Sequence, residues 1–336
     1  MPPLPLPKTA TGTAGAPILW GTQALWQQLV PLLPGLSVEV LHSTLSTNSM
    51  LLERARVLPE DRRDSGNVLV RHSIESAAFG RRAADLQPCL LVAEHQSAGR
   101  GRQGRAWKSA PGASLTFSLG LPLAMTDWSG LSLAVGVALC DALDALDPPA
   151  EPANGLRLGL KWPNDLWLVD VNRADGAGRK LGGILIETVA AGTQRRAVIG
   201  IGLNVLPFAS PSAAADLSTG FAALRELDPA ATAPAVLARI ALPLVQALQR
   251  FERDGFSAFA ERFAARDLLR GRVLRTTRAD VPQGIGRGVS AQGALLVETA
   301  SGIVDVSSGE VSVRLDEPAP TASTARPPPP PPASAP

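Results

Sequence analysis

Four short segments concentrate residues able to bind anions or stabilise developing charge. In the first, Gly99-Arg100-Gly101-Arg102-Gln103-Gly104-Arg105-Ala106-Trp107, glycines alternate with arginines. Glycine lets the backbone approach a bound group and adopt positive φ, while each guanidinium offers a fixed fork of donors matched to phosphate or carboxylate. With nothing apolar to pin it, such a loop is expected to be mobile when empty and to order around an anion. The second segment is Lys161-Trp162-Pro163-Asn164-Asp165. Pro-Asn-Asp is ordinary turn chemistry, and the same residues could position a nucleotide or hold Mg²⁺ through one carboxylate. The third, Lys180-Leu181-Gly182-Gly183, opens an apolar run that ends at Glu187. Its lysine either snorkels at a strand edge or reaches an anion across the sheet, with the glycines making room. The fourth, Gly200-Ile201-Gly202-Leu203-Asn204, is a glycine-spaced strand against which a flat ring could lie.

Two rival readings of the first segment fail on its surroundings. Gly99-x-Gly101-x-x-Gly104 spells the dinucleotide fingerprint, but that fingerprint needs a helix next, and Pro111, Gly112 and a β pattern follow instead. An RGG-type RNA contact would want repeated copies, more than 4% aromatics and a charge well above +2. That near-neutral balance, Lys+Arg 32 against Asp+Glu 30, supplies no global field for nucleic acid or an acidic membrane. The lysines are Lys8, Lys108, Lys161 and Lys180, so chemistry that needs a primary amine has few sources. Cys89 and Cys140 cannot build a disulfide framework, and His42, His72 and His95 show no metal-binding spacing. No stretch approaches the roughly 20 apolar residues of a membrane span. Prolines interrupt the N-terminus where a signal peptide needs an apolar helix, so a cytoplasmic protein without membrane contact is expected.

The elements that must position these segments are legible from periodicity. A short helix is expected within 20–33, a strand over 36–41, and a helix after Ser46, Thr47 and Asn48, which are natural cap types. Strands over 89–96 and 114–121 enclose the glycine–arginine segment, and 131–146 reads as a helix. Continuous apolar strands carry the other three segments, and helices fill 233–267. From Leu269 about five short strands suggest a small barrel. The fold class is therefore α+β, a mixed-sheet domain followed by a compact all-β module. Residues 1–17 and the Pro-rich 317–336 are expected to be disordered; the tail has the composition of an SH3 or WW ligand but reads as inert. Residues 18–267 form the main domain, with 58–88 as an insertion, and 268–316 the second.

Ser46-Thr47-Asn48, 93–107 (AEHQSAGRGRQGRAW), KWPND at 161–165, KLGGILIE at 180–187 and GIGLNV at 200–205, in this order, closely resemble the biotin–protein ligases. The final module resembles that family's SH3-like C-terminal domain. The resemblance implies activation of biotin by MgATP to biotinyl-5′-adenylate, then transfer to a lysine of the biotin carboxyl carrier protein of acetyl-CoA carboxylase. It implies biotin contacts from Ser46, Thr47, Asn48, Gln96, Gly99, Arg100, Gly101, Arg102, Lys180, Gly183, Leu185 and Gly200. On the nucleotide side it implies Arg102, Arg105, Trp107, Asn164, Lys180 and Asn204, with Trp107 near the adenine. Lys180, Arg102 and Asp165 are the catalytic candidates, and Asp165 is also the Mg²⁺ candidate. Leu45 departs from the family's usual acidic residue there. The sequence before Ser46 holds too little helical pattern for a winged helix-turn-helix, so DNA binding is not expected; a homodimer is compatible with the sequence. The rivals are a lipoate–protein ligase, which shares the catalytic fold, and a non-enzymatic biotin-responsive regulator.

Overall fold

The computed structural model describes residues 17–56, 78–79, 87–125, 127–144, 155–173, 178–191, 194–207, 220–307 and 313–315. The expected disordered termini and almost all of the 58–88 insertion lie outside the described residues.

Helix α1 (Thr22–Leu29) buries Leu25 and Leu29 and precedes strand β1 (Ser37–Thr44). Helix α2 (Thr47–Arg56) starts where the cap types predict it: Met50 N–H donates to Ser46 O at 3.0 Å, the first helical bond. After the short β2 (Ala78–Phe79) comes β3 (Cys89–Gln96). Next, β4 (Gly99–Arg100) pairs antiparallel with β5 (Ala106–Trp107), so the expected glycine loop is in fact a hairpin. β6 (Ser114–Pro122) leads to α3 (Leu131–Leu143), which is apolar on nearly every side and almost wholly buried. β7 (Leu156–Lys161), β8 (Asp165–Asp170), β9 (Gly178–Ala191) and β10 (Gln194–Asn204) complete the large sheet. Its order is β2-β1-β3-β6-β10-β9-β8-β7, with β1 and β3 parallel and every other neighbour antiparallel, the mixed sheet that the sequence predicts.

Helix α4 (Ala233–Asp254) is capped by Thr232, whose Oγ1 accepts from Ala235 N–H at 3.4 Å. Val236, Leu237, Ile240, Leu244, Leu248 and Phe251 form its buried stripe, and Gly255 at φ 66° ends it. Helix α5 (Ala260–Ala264) follows. The second module pairs β11 (Val273–Thr276), β12 (Gln283–Val289), β13 (Leu295–Thr299), β14 (Gly302–Val306) and β15 (Val313–Leu315) in the order β14-β13-β12-β11-β15.

The two faces of the large sheet have different cover. One carries α1, α3 and α4 and the main apolar core, which continues through Leu274, Leu295, Val297 and Val306 of the second module. The other carries α2, whose Leu51 and Leu52 pack on Cys89, Leu91 and Val198. The junction between the modules is also bonded. Leu268 N–H donates to Leu160 O at 3.0 Å, and Trp162 Nε1–H to Gly293 O at 3.0 Å.

Candidate active site

The site is built on the α2 side of the sheet, and strand register decides which residues share it. Directly opposed residues of antiparallel strands point to one face. Ser118, Gly200 and Leu185 stand in one row across β6, β10 and β9. Gly202, Gly183 and Asp165 stand in the next row, across β10, β9 and β8. A register shift between β8 and β9 opposes Leu166 to Gly182 but Trp167 to Lys180. That irregularity turns Lys180 onto the face of Asp165 and Gly183.

The glycines keep this floor low. A Cβ on Gly200 would lie 2.2 Å from Asn48 Oδ1, and one on Gly202 would lie 2.5 Å from the Trp107 indole. The flat ring lying against the glycine-spaced strand is therefore the protein's own Trp107. Its Nε1–H is buried without a partner among the described residues.

Above the floor, the start of α2 is tied to the end of β3. Thr47 N–H donates to Gln96 Oε1 at 2.7 Å, and the two side chains approach at 3.2 Å. Ser118 Oγ lies 2.6 Å from both Thr47 Oγ1 and Asn48 Oδ1. Asn48 Nδ2 donates to Leu185 O at 3.1 Å and Glu187 Oε2 at 2.9 Å. Asn48 is thus held by the protein as a rigid part of the floor, and it lines the cavity there. Ser46 and Gln96 line the cavity in front of them.

The hairpin forms the roof. Gly101 N–H donates to Arg105 O at 2.7 Å, and the turn between needs positive φ at Gln103 (57°) and Gly104 (70°). Arg100 Nη2 reaches Glu187 Oε2 at 2.7 Å, and Arg102 Nη1 reaches Asn164 Oδ1 at 3.4 Å. Burial pulls the Arg102 guanidinium below the usual arginine value; attraction to Asp165 opposes this and repulsion from Arg105 adds to it. A half-desolvated cation beside another cation gains free energy when an anion arrives. On the far wall Lys180 Nζ donates to Asp165 Oδ1 at 2.7 Å, and Asn164 Nδ2 to Ile184 O at 2.7 Å. Asn204 Nδ2 donates to Ala222 O at 3.1 Å.

Every candidate residue except Gly99 lines one cavity of about 430 Å³ between floor, roof and wall. A Cβ on Gly99 would meet Trp107 O at 2.4 Å, so this glycine closes the hairpin and stays off the cavity. Phe117, Phe221 and, from the second module, Val313 also line it. Sequence reasoning missed these, as well as Ser118 and Glu187, whose places follow from register and offer no local signal.

Asp165 is the one carboxylate of the described lining, and among the described residues no three His, Cys, Asp or Glu side chains converge. This donor set does not build a resident metal site. It fits Mg²⁺ only as the companion of a phosphate chain, with Asp165 adding a single oxygen.

Residues 83–204 match the Biotin/lipoate A/B protein ligase family, and residues 272–314 match the biotin protein ligase C terminal domain. A biotin–[acetyl-CoA-carboxylase] ligase of Mycobacterium tuberculosis is 34% identical over 241 residues, 68% of this chain and 80% of that protein. The bifunctional ligase/repressor BirA of Salmonella typhimurium is 34% identical over 262 residues, 76% of each chain. A solved biotin protein ligase from Aquifex aeolicus, in complex with biotin and ATP, superposes with a TM-score of 0.61. That superposition covers 83% of this chain and 99% of the other at 23% identity, a likeness of fold. By sequence, module order and the arrangement of its two sheets, the chain belongs to the biotin protein ligase family.

Proposed function

We propose that the protein activates biotin with MgATP and transfers it to a lysine of the biotin carboxyl carrier protein of acetyl-CoA carboxylase, acting in the cytoplasm without binding DNA. The supporting observation is the convergence of Lys180 Nζ, Arg102 and a neutral polar cradle on one cavity. In this reading Ser46 and Gln96 hydrogen-bond the ureido ring, while Thr47, through Gln96 and Ser118, and Asn48, through Ser118, fix the cradle's shape. Leu185, Gly183 and Gly200 supply the low apolar floor for the bicyclic ring and its acyl chain.

In the first step a biotin carboxylate oxygen attacks the α-phosphorus, the bond from that phosphorus to the α,β-bridging oxygen breaks, and pyrophosphate leaves. Two anions must meet, so the barrier is largely electrostatic. Lys180 and Arg102 lower it by holding positive charge where the new phosphoryl–oxygen bond forms. Arg105, Trp107, Asn164 and Asn204 line the nucleotide side. Mg²⁺, when bound with ATP, neutralises part of the phosphate charge. In the second step a neutral amine of the carrier attacks the acyl carbon, the acyl–oxygen bond breaks, AMP leaves, and the nitrogen sheds its proton. The hairpin excludes water from the mixed anhydride until that amine arrives.

ATP–pyrophosphate exchange driven by biotin, followed by labelling of a purified carrier domain, tests this reading. Exchange with biotin but not lipoate is expected. Exchange with lipoate alone, or biotin binding with no exchange, would replace the proposal by one of its rivals.

A further inference from the structure

Glu187 does not line the cavity, yet it joins two parts that do. Its Oε2 accepts from Asn48 Nδ2 at 2.9 Å, on the floor, and from Arg100 Nη2 at 2.7 Å, on the roof. Asn48 cannot drift to relieve that sharing. Its other amide hydrogen is held by Leu185 O at 3.1 Å, its Oδ1 lies 2.6 Å from Ser118 Oγ, and Gly200 is the only residue type that leaves it room. The acceptor is thus preorganised by the floor, and the arginine must come to it. The contact of Arg102 Nη1 with Asn164 Oδ1 is longer at 3.4 Å and ends on a neutral oxygen, so that contact holds less strongly.

We infer that Glu187 is a positioning residue, a latch that keeps the 99–107 hairpin shut over the activated acyl group by pairing Arg100 with the floor of the cavity. The inference rests on the ligase reaction proposed above. The side chains of Arg100 and Glu187 are 40% and 26% exposed, so the pair is worth a modest factor, and hairpin opening should accelerate about two- to fivefold without it.

Glu187→Gln keeps an oxygen for Asn48 and removes the charge that Arg100 seeks. Wild type, E187Q, R100Q and the double variant are loaded with labelled biotinyl-adenylate, and its release is followed after a chase of unlabelled biotin. Amide hydrogen exchange over 99–107 is measured in parallel on the ligand-free proteins. Each single variant should release the intermediate about two- to fivefold faster, the double variant no faster than the faster single. E187Q should leave biotin affinity without ATP within about twofold, since exposed charge changes act weakly on a neutral cradle, and should raise exchange across the hairpin. Wild-type release and exchange in E187Q, or additive effects in the double variant, would overturn the latch. Should the wild type form no adenylate, the proposed reaction falls, and the exchange comparison alone decides the latch.

Discussion

Lys180 and Asp165 form an ion pair at 2.7 Å within reach of Arg102, so the site holds an excess of positive charge around one acid. A second anion that displaces Asp165 from the ammonium loses one charge-assisted bond and gains another. This exchange lets the lysine bind weakly in the ground state and strongly as charge builds on the reacting oxygens. Lys180→Ala removes the ammonium and leaves Asp165 facing the phosphates uncompensated. It should slow adenylate formation about 10²- to 10³-fold, the scale of one lost transition-state donor, while biotin affinity without ATP changes little. Quenched-flow measurement of adenylate beside titration of biotin separates the two, and parallel losses would make Lys180 a binding residue instead.

The four chemistry-bearing segments are visible in the sequence because each is a run of neighbours at a strand end or turn, where residue type and spacing are read directly. What stays hidden is set by pairing between distant strands. Ser118 belongs to an unremarkable strand until register puts it opposite Gly200. The shift between β8 and β9 that turns Lys180 inward leaves no mark on KLGG. The glycine–arginine segment reads as an open loop because its closure depends on Trp107 returning to pair with Gly99. Gly200 shows the cost of this tight layering. Gly200→Ala places a methyl 2.2 Å from Asn48 Oδ1 and must push the start of α2 outward. Biotin affinity should fall at least tenfold, the loss of about 1.4 kcal/mol expected when a polar floor loses its bonds. Isothermal titration checks this; unchanged affinity would mean that the STN turn is not part of the cradle.

At the scale of the molecule, the second module is part of the same apolar core and contributes Val313 to the cavity wall. Trp162, directly before the Pro163-Asn164-Asp165 turn, is held by Gly293 of that module, so the wall carrying Asp165 is braced from outside its own domain. Composition signals the small β-module but not this brace, because one indole–carbonyl bond across 131 residues has no local pattern. At the junction, burial raises the Asp267 carboxyl above its ordinary value, and its Oδ2 has no partner among the described residues. The unfolded chain ionises it at lower pH, so it costs stability as pH rises through the window between the two values. Asp267→Asn should therefore melt higher than wild type at neutral pH, with the gain shrinking toward the ordinary Asp range. Calorimetry across that range checks the sign; a gain that grew with acidity would contradict the burial argument.

All of these arguments rest on a carboxylate of biotin being joined to the α-phosphate inside the cavity and delivered as an acyl group. Biotin labelled with ¹⁸O in both carboxylate oxygens, turned over with ATP and a carrier domain, follows the atoms themselves. One label should appear in the AMP released and the other in the amide formed on the carrier lysine. AMP free of label, or ADP as the nucleotide product, would contradict the account.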